Sequence, residues 1–123
     1  GIMGIIQDYH QYRERFPAEQ DINKALDYIH AHYRGKITII NLAAMCQLSL
    51  RQFERRFKSY FNLSPTQYIM KMRIHEACDL LCNGSMSIGD IASTLGFYDQ
   101  SSFTVQFKKT MSMTPLQYRK QFF

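Results

Sequence analysis

Two arginines, one acid and one lysine are spaced so that they would share one side of an α-helix. Arg51 and Arg55 are four residues apart, Glu54 lies beside Arg55, and Lys58 follows within one turn. A guanidinium can donate to O6 and N7 of guanine together, and a carboxylate can accept a bond from N4 of cytosine. The same charges can instead form surface ion pairs, worth only about 0–1 kcal/mol each. These residue types therefore offer either recognition of base edges or a solvated helix face.

The segment that holds these residues recurs fifty residues further along the chain. Phe53 and Phe57 correspond to Phe103 and Phe107. The same offset relates the pairs Lys58/Lys108, Pro65/Pro115, Gln67/Gln117 and Tyr68/Tyr118. Two copies are too few for a solenoid, which usually needs three or more. The repeat therefore indicates a pair of equivalent helical units.

The second copy presents different chemistry on the face that corresponds to Arg51 and Arg55. This face holds Gln100, Ser101, Thr104 and Val105, and no arginine. Gln can pair with adenine, and Val can contact the methyl group of thymine. We therefore expect the first copy to dominate discrimination between sequences and the second to add weaker or more tolerant contacts.

Positive charge is concentrated in one part of the chain. The net charge of the 123 residues is +5, but the stretch from Arg34 to Arg73 holds eight basic residues and one acid, Glu54, a balance of +7. The remainder has a balance of −2. A concentrated basic block is typical of a protein that binds a polyanion, although a solvated basic face would have the same composition.

Other classes of function find little support in the residues. The three cysteines, Cys46, Cys78 and Cys82, lack metal-ligand spacing and are expected to be buried, in a reducing compartment. No catalytic set stands out, so we predict no enzyme, no metal and no cofactor. No secretory signal pattern or membrane-spanning run is found, so we expect a cytoplasmic protein. The first residue is Gly1 rather than Met, and we expect a fragment of a longer chain.

Helical spacing of apolar residues predicts an all-α fold. Ile2, Ile5, Ile6, Tyr9 and Tyr12 form an amphipathic arm, interpreted as the end of a connector or as a packed N-terminal helix. Pro17 predicts the start of the next helix, and Gly35 its end. Its apolar stripe consists of Ile22, Ala25, Leu26, Ile29 and Tyr33.

Each copy then begins with a short helix, which is followed by a tight turn and a longer helix. Capping residues mark the starts at Thr38, Ser49 with Gln52, Ser64 with Gln67, Ser87, Asp99 and Thr114 with Gln117. In the longer helices we expect Phe53, Phe57, Tyr60, Phe61, Phe103 and Phe107 to face inward. The helix after Pro65 is apolar on several sides, so we interpret it as the bridge between the copies.

A short helix, a turn and a longer helix with a polar outer face form a helix-turn-helix, whose second helix enters the DNA major groove. Two copies with equal spacing and caps are a stronger indication than one. We therefore predict base contacts by Arg51, Glu54, Arg55, Gln100, Ser101, Thr104 and Val105, with Glu54 open between a base and an ion pair. Predicted phosphate contacts are Lys36, Ser49, Gln52, Lys58, Ser59, Lys71, Lys108 and Lys109. For Arg73 we favour a structural ion pair with an acid such as Asp90.

From about Asp21 to Arg119 the sequence resembles the DNA-binding domain of AraC/XylS-type transcription regulators. The most specific residues are Ile91-Ala92, Gly96-Phe97, Ser102-Phe103, Phe107-Lys108, Thr114-Pro115 and Tyr118-Arg119. The resemblance implies seven helices, two recognition helices joined by a long linker helix, and transcription activation. The sequence departs from the family's pattern at Val105, where Arg or Lys is frequent, and at Asn62 and Ser112, where Gly is usual.

We divide the chain into an N-terminal helical arm (1–17) and a DNA-binding domain (18–123). The domain contains two helix-turn-helix units (38–62 and 87–111), a linker helix (64–82) and a terminal helix (114–122). Expected partners are double-stranded promoter or operator DNA, RNA polymerase and a separate N-terminal sensing or dimerisation domain, with no membrane. Two other hypotheses stay open: a sequence-indifferent architectural nucleic-acid binder, and a protein-interaction module that docks through the arm.

Overall fold

Seven helices make up residues 22–122, the part of the protein that the computed structural model describes, and no strand occurs among these residues. In chain order they are α1 Asn23–His32, α2 Ile39–Met45, α3 Leu50–Phe61, α4 Pro65–Asn83, α5 Ile88–Thr94, α6 Gln100–Met111 and α7 Pro115–Phe122. The predicted all-α class is confirmed. The expected arm and the expected helix start at Pro17 lie outside the described residues.

The chain divides into two units, and the boundary between Met70 and Lys71 falls inside α4. In the first unit, α2 packs against both α1 and α3. In the second unit, α6 packs against both α5 and α7. Each unit thus contains one short helix followed by one longer helix, the arrangement that the repeat predicts.

A cluster of aromatic side chains forms the core of the first unit. Phe57 is fully buried, and its ring centroid lies 4.9 Å from that of Phe61 and 5.2 Å from that of Tyr68. Nε2 of His30 is hydrogen-bonded to the hydroxyl of Tyr68 over 2.6 Å, which ties α1 to the start of α4. The inward orientation predicted for these phenylalanines is confirmed. Tyr68 is buried with them, and His30 has a structural role that the sequence does not indicate.

The second unit has an equivalent core and an additional polar tie. Phe103 and Phe107 are fully buried, and Tyr118 packs edge-on against Phe107 with centroids 5.5 Å apart. Arg119 donates from Nε to the carbonyl oxygen of Leu81 (3.1 Å) and from Nη2 to that of Met86 (2.6 Å). These bonds hold the final helix against the end of α4 and the segment that follows it.

Three reciprocal capping boxes start α3, α4 and α7. In each, the backbone N–H of the capping Ser or Thr donates to a Gln side chain three residues on, and that Gln N–H donates back to the hydroxyl. The pairs are Ser49/Gln52, Ser64/Gln67 and Thr114/Gln117, with distances of 2.9–3.1 Å. At the other ends, Asn62 and Ser112 both adopt the left-handed conformation, with φ of 59° and 64°. The predicted Ser/Thr-to-Gln capping boxes and the left-handed Asn62 are confirmed, and Ser112 ends its helix in the same way as Asn62 although Gly is usual there.

Several expectations about single residues are wrong or are confirmed only in part. Tyr60 is 38% exposed rather than inward, because Phe53, Phe57 and Phe61 alone occupy the buried stripe of α3. Thr38 stands at the start of α2, but its side chain makes no capping hydrogen bond. Gly35 does not end α1, which stops at His32. The cysteines are half-buried rather than fully buried: Cys46, Cys78 and Cys82.

The turn glycine of the second unit provides a test of this backbone geometry. Gly96 has a φ of 83°, in the region where a side chain costs about 1–2 kcal/mol. Gly96→Ala should therefore lower the free energy of unfolding by about that amount, measured by urea denaturation. Gly35→Ala is the matched control, since Gly35 lies outside this region and an added Cβ would meet only the His32 carbonyl oxygen, at 3.6 Å. Equal effects of the two substitutions would contradict the prediction.

Candidate nucleic-acid interface

The first candidate surface is the outer face of α3. Arg51, Glu54, Arg55 and Lys58 are all exposed. Arg51, Arg55 and Lys58 lie on the side opposite to the buried phenylalanines, and Glu54 lies beside them. Because the helix is amphipathic, burial of its aromatic stripe leaves its charged side exposed to solvent. The structure thus brings together on one accessible face the residues predicted to contact DNA in the first copy. Their contacts with DNA remain a prediction.

The turn before α3 sets how this helix leaves α2. The backbone N–H of Leu48 donates to the carbonyl oxygen of Ala43 over 3.0 Å, and Gln47 adopts the left-handed conformation with a φ of 57°. Ala43, whose carbonyl oxygen accepts this bond, is only 2% exposed. A tight turn of this kind is what places a second helix across the first in a helix-turn-helix.

The second candidate surface is the outer face of α6. Gln100, Ser101 and Val105 are exposed, and Thr104 is half-buried. Val105 is 62% exposed, so its side chain is accessible to a partner. This face holds no arginine, so the chemical difference between the two copies persists in the folded structure.

A glycine in α5 shapes the position of Gln100. A Cβ added to Gly89 would lie 3.1 Å from Oε1 of Gln100, tighter than an ordinary contact. The Gln100 amide therefore rests against the backbone of α5, and Gly89 leaves the space for it. Sequence reasoning gave Gly89 no role, although a glycine inside a helical pattern is a recognised indication of close packing.

The two recognition helices differ in the charge at their starts. Ser49 caps α3 with a hydroxyl that accepts from the Gln52 N–H, whereas Asp99 caps α6 with a carboxylate that accepts from the Ser102 N–H over 2.7 Å. A helix N-terminus attracts phosphate through its free N–H groups. The neutral cap leaves that attraction intact, and the acidic cap opposes it.

Tyr98 is the most exposed of the large apolar side chains in the described part of the chain, at 94%. It directly precedes the cap of α6, and sequence reasoning did not single it out. Its neighbour Phe97 is half-buried and packs on Phe103, with centroids 5.0 Å apart. The turn before α6 therefore directs one aromatic ring inward and the next into solvent.

Arg73 supports the second turn from α4. Its Nη1 donates to the carbonyl oxygen of Gly96 over 3.3 Å, and its guanidinium carbon lies 6.0 Å from the centre of the Phe97 ring. Burial lowers the pKa of this guanidinium from its ordinary value. These contacts support the structural role that we favoured over DNA contact, and the ion pair with Asp90 stays a prediction.

The eight residues predicted to contact phosphate are all exposed. They lie before α2, at the start and on the outer side of α3, on α4 and near the end of α6: Lys36, Ser49, Gln52, Lys58, Ser59, Lys71, Lys108 and Lys109. Ser49 and Gln52 use their side-chain oxygens in the capping box. The Ser49 hydroxyl hydrogen and the Gln52 amide hydrogens are the donors that they retain for a phosphate.

Other chemistry is sparse in residues 22–122. No group of three or more His, Cys, Asp or Glu side chains that could hold a metal ion occurs there. Burial raises the pKa of the Cys78 thiol, and a hydrogen bond with Tyr118 lowers this pKa by a smaller amount. Burial also raises the pKa of Tyr118 well above its usual range. Both groups stay protonated near neutral pH. None of the described helices is long and apolar enough to cross a bilayer.

Two short-helix, tight-turn, long-helix units, each with an exposed polar second helix, define a helix-turn-helix DNA-binding protein. A family model described as a helix-turn-helix domain matches residues 42–121. A DNA-binding domain of AraC type from Chromobacterium violaceum has a similar structure, with a TM-score of 0.73 and 28% identity, covering 82% of this chain and 90% of that one. The chain belongs to the AraC-type family of helix-turn-helix domains, as its resemblance predicts.

Relatives known by sequence are regulators that are longer than this chain. The HTH-type transcriptional regulator YdeC of Bacillus subtilis is 35% identical over 99 residues, which cover 80% of this chain and 34% of YdeC. The regulatory protein PocR of Salmonella typhimurium is 34% identical over 105 residues, which cover 85% of this chain and 35% of PocR. The chain thus spans about a third of the length of these curated relatives.

Proposed function

We propose that this chain is the sequence-specific DNA-binding part of a bacterial transcription regulator. The observation that supports it best is the pair of exposed recognition helices, α3 and α6, each preceded by a tight left-handed turn and started by a side-chain cap. In the proposed complex both helices enter major grooves on one face of the duplex. Successive grooves lie about 34–36 Å apart, or about 10 bp.

The division of labour between the helices follows from their side chains. Arg51 and Arg55 are expected to contact guanine or phosphate, with Glu54 as a further base contact. Gln100, Ser101, Thr104 and Val105 add contacts that tolerate more sequences. The eight exposed phosphate candidates set the register of the protein on the duplex without selecting a sequence.

The proposal extends to a longer protein. Because the relatives are about three times as long, we propose that a separate sensing or dimerisation domain accompanies this module. Activation through RNA polymerase in the cytoplasm is the regulatory mode that the family resemblance implies. No enzymatic role is assigned to the module itself.

Selection of preferred sites from a random-sequence duplex pool, at near-physiological salt, tests this function. We expect two short enriched elements about 10 bp apart, with the stronger one read by α3. Retention of duplexes without any enriched sequence would contradict the proposal. That result, with an affinity that falls steeply with salt, would instead indicate the architectural binder.

The interaction module makes a different prediction in the same experiment. It gives little retention of DNA and a mass that rises with protein concentration, measurable by sedimentation. The exposed polar faces of α3 and α6 favour the DNA-binding function, since a protein interface is typically depleted of charge at its centre.

A further inference from the structure

The turns of the two helix-turn-helix units differ by one residue, and the backbone hydrogen bonds show where it lies. Leu48 N–H donates to the Ala43 carbonyl oxygen, and Phe97 N–H donates to that of Ala92, both over 3.0 Å. These pairs correspond at an offset of 49 residues, whereas the caps Ser49 and Asp99 correspond at an offset of 50. The additional residue is therefore Tyr98, between Phe97 and Asp99.

The additional residue contributes little to the fold. Phe97 takes the half-buried position that Leu48 has in the first unit, and it packs on Phe103. Tyr98 buries almost none of its side chain, at 94% exposure. A single exposed apolar residue is ordinary on a protein surface. Tyr98 is distinguished by its position, because it directly precedes the cap of α6, the helix proposed to enter the groove.

The chemistry around Tyr98 indicates what it would contact. The face of α6 has no arginine, and the Asp99 carboxylate at its start repels phosphate. A phenol carries no charge, can pack its ring on a deoxyribose and can donate from its hydroxyl to a phosphate oxygen. It therefore supplies a backbone contact at a helix start where the acidic cap weakens the usual attraction for phosphate.

We propose that Tyr98 is a DNA-backbone contact of the second helix-turn-helix unit. Its ring packs on a sugar and its hydroxyl donates to a phosphate at the edge of the groove that α6 enters. This inference rests on the proposed function. It gives the second recognition helix an anchor that the first, which has Arg51 and Arg55, does not require.

The test compares Tyr98→Phe, Tyr98→Ala and the unchanged protein on the selected duplex, by fluorescence anisotropy over a range of salt concentrations. Loss of the hydroxyl should weaken binding about three- to tenfold, and Tyr98→Ala should weaken it further. The salt dependence should not change, since no charge is lost. The preferred sequence should not change either, because backbone contacts do not select bases.

Leu116→Ala is the matched control, because Leu116 is apolar, 52% exposed and located on α7 rather than at a recognition-helix start. Its affinity should stay within about twofold of the unchanged protein, as expected for a surface substitution of up to about 0.5 kcal/mol. Phosphate-ethylation interference should lose one position with Tyr98→Phe, which would locate the contact.

Two results would overturn the inference while leaving the proposed function intact. One is specific binding by the unchanged protein that Tyr98→Ala alters no more than Leu116→Ala does. The other is a changed base preference in Tyr98→Ala, which would make Tyr98 a base contact. Failure of the unchanged protein to select any site would instead overturn the proposed function, so the two failures are distinguishable.

Discussion

Replacement of Arg55 by alanine should weaken binding to the selected site by about 1–3 kcal/mol, or roughly 5- to 150-fold, and relax the preference at one base pair. The arginine is exposed on the outer face of α3, where its guanidinium can reach two acceptors of one guanine. Removal of the guanidinium leaves O6 and N7 of that guanine without their bidentate hydrogen-bond donor. Competition binding with duplexes that vary at each position measures both the affinity and the preference.

Val105→Ala is the matched control for Arg55→Ala, because the two residues correspond in the repeat at an offset of 50. Val105 is 62% exposed, and its removal costs at most a contact with a thymine methyl group. We therefore expect a smaller loss than with Arg55→Ala. A larger loss from Val105→Ala would reverse the ranking of the two recognition helices.

The largest expected effect on stability is that of Phe57→Ala. Phe57 is fully buried, and its ring centroid lies within 6 Å of those of Phe53, Phe61 and Tyr68. Removing a buried phenyl ring loses its transfer free energy and leaves a cavity, at a cost of about 3–5 kcal/mol. Hydrogen exchange of the α3 amides, with urea denaturation, would measure the loss.

Tyr60→Ala is the comparison for Phe57→Ala within the same helix. Tyr60 is 38% exposed and lies outside the buried stripe, so its removal should cost much less. If Phe57→Ala cost no more than Tyr60→Ala, the aromatic cluster would not be the main stabilising feature of the first unit. A full loss of helical circular dichroism in Phe57→Ala would still agree with the prediction, since such a cost approaches the whole stability of a small domain.

The second unit allows the same measurement at the corresponding position. Phe107 is also fully buried, and the rings of Phe103 and Tyr118 pack on it. The position that corresponds to Phe61 holds Met111. The bonds of Arg119 to the carbonyl oxygens of Leu81 and Met86 stabilise this unit in addition. Aromatic packing is therefore supplemented by these side-chain hydrogen bonds in the second copy.

The unequal chemistry of the two copies gives the proposed binding a simple logic. One recognition helix has Arg51 and Arg55 on its outer face and a neutral cap, whereas the outer face of the other has polar and apolar side chains and its cap is acidic. A chain in which α3 selects bases strongly and α6 tolerates more sequences can bind related sites with graded affinity. Each mismatched base pair costs about 1–3 kcal/mol only where a side chain contacts the base. Tyr98 would keep the tolerant helix bound whatever sequence it meets.

Local features of the chain were predictable because they depend on residues three or four positions apart. The three Ser/Thr-to-Gln capping boxes, the left-handed Asn62 and the buried Phe53/Phe57 stripe all follow from such spacing. The repeat, and with it the pair of helix-turn-helix units, is equally a property of the sequence alone. So is the exposure of Arg51 and Arg55, which the burial of the opposite face of α3 requires.

Only the tertiary structure decided features that join residues far apart or depend on small rotations about a helix. The contact of Arg73 with Gly96 links positions 23 residues apart, and that of His30 with Tyr68 links positions 38 apart. Tyr60 was predicted to face inward because it borders the apolar stripe of α3. In the structure Phe53, Phe57 and Phe61 occupy the buried positions, and Tyr60 is exposed. Tyr98 had no predicted role, and the turn hydrogen bonds show that Phe97 already fills the inward position, which leaves the additional ring in solvent.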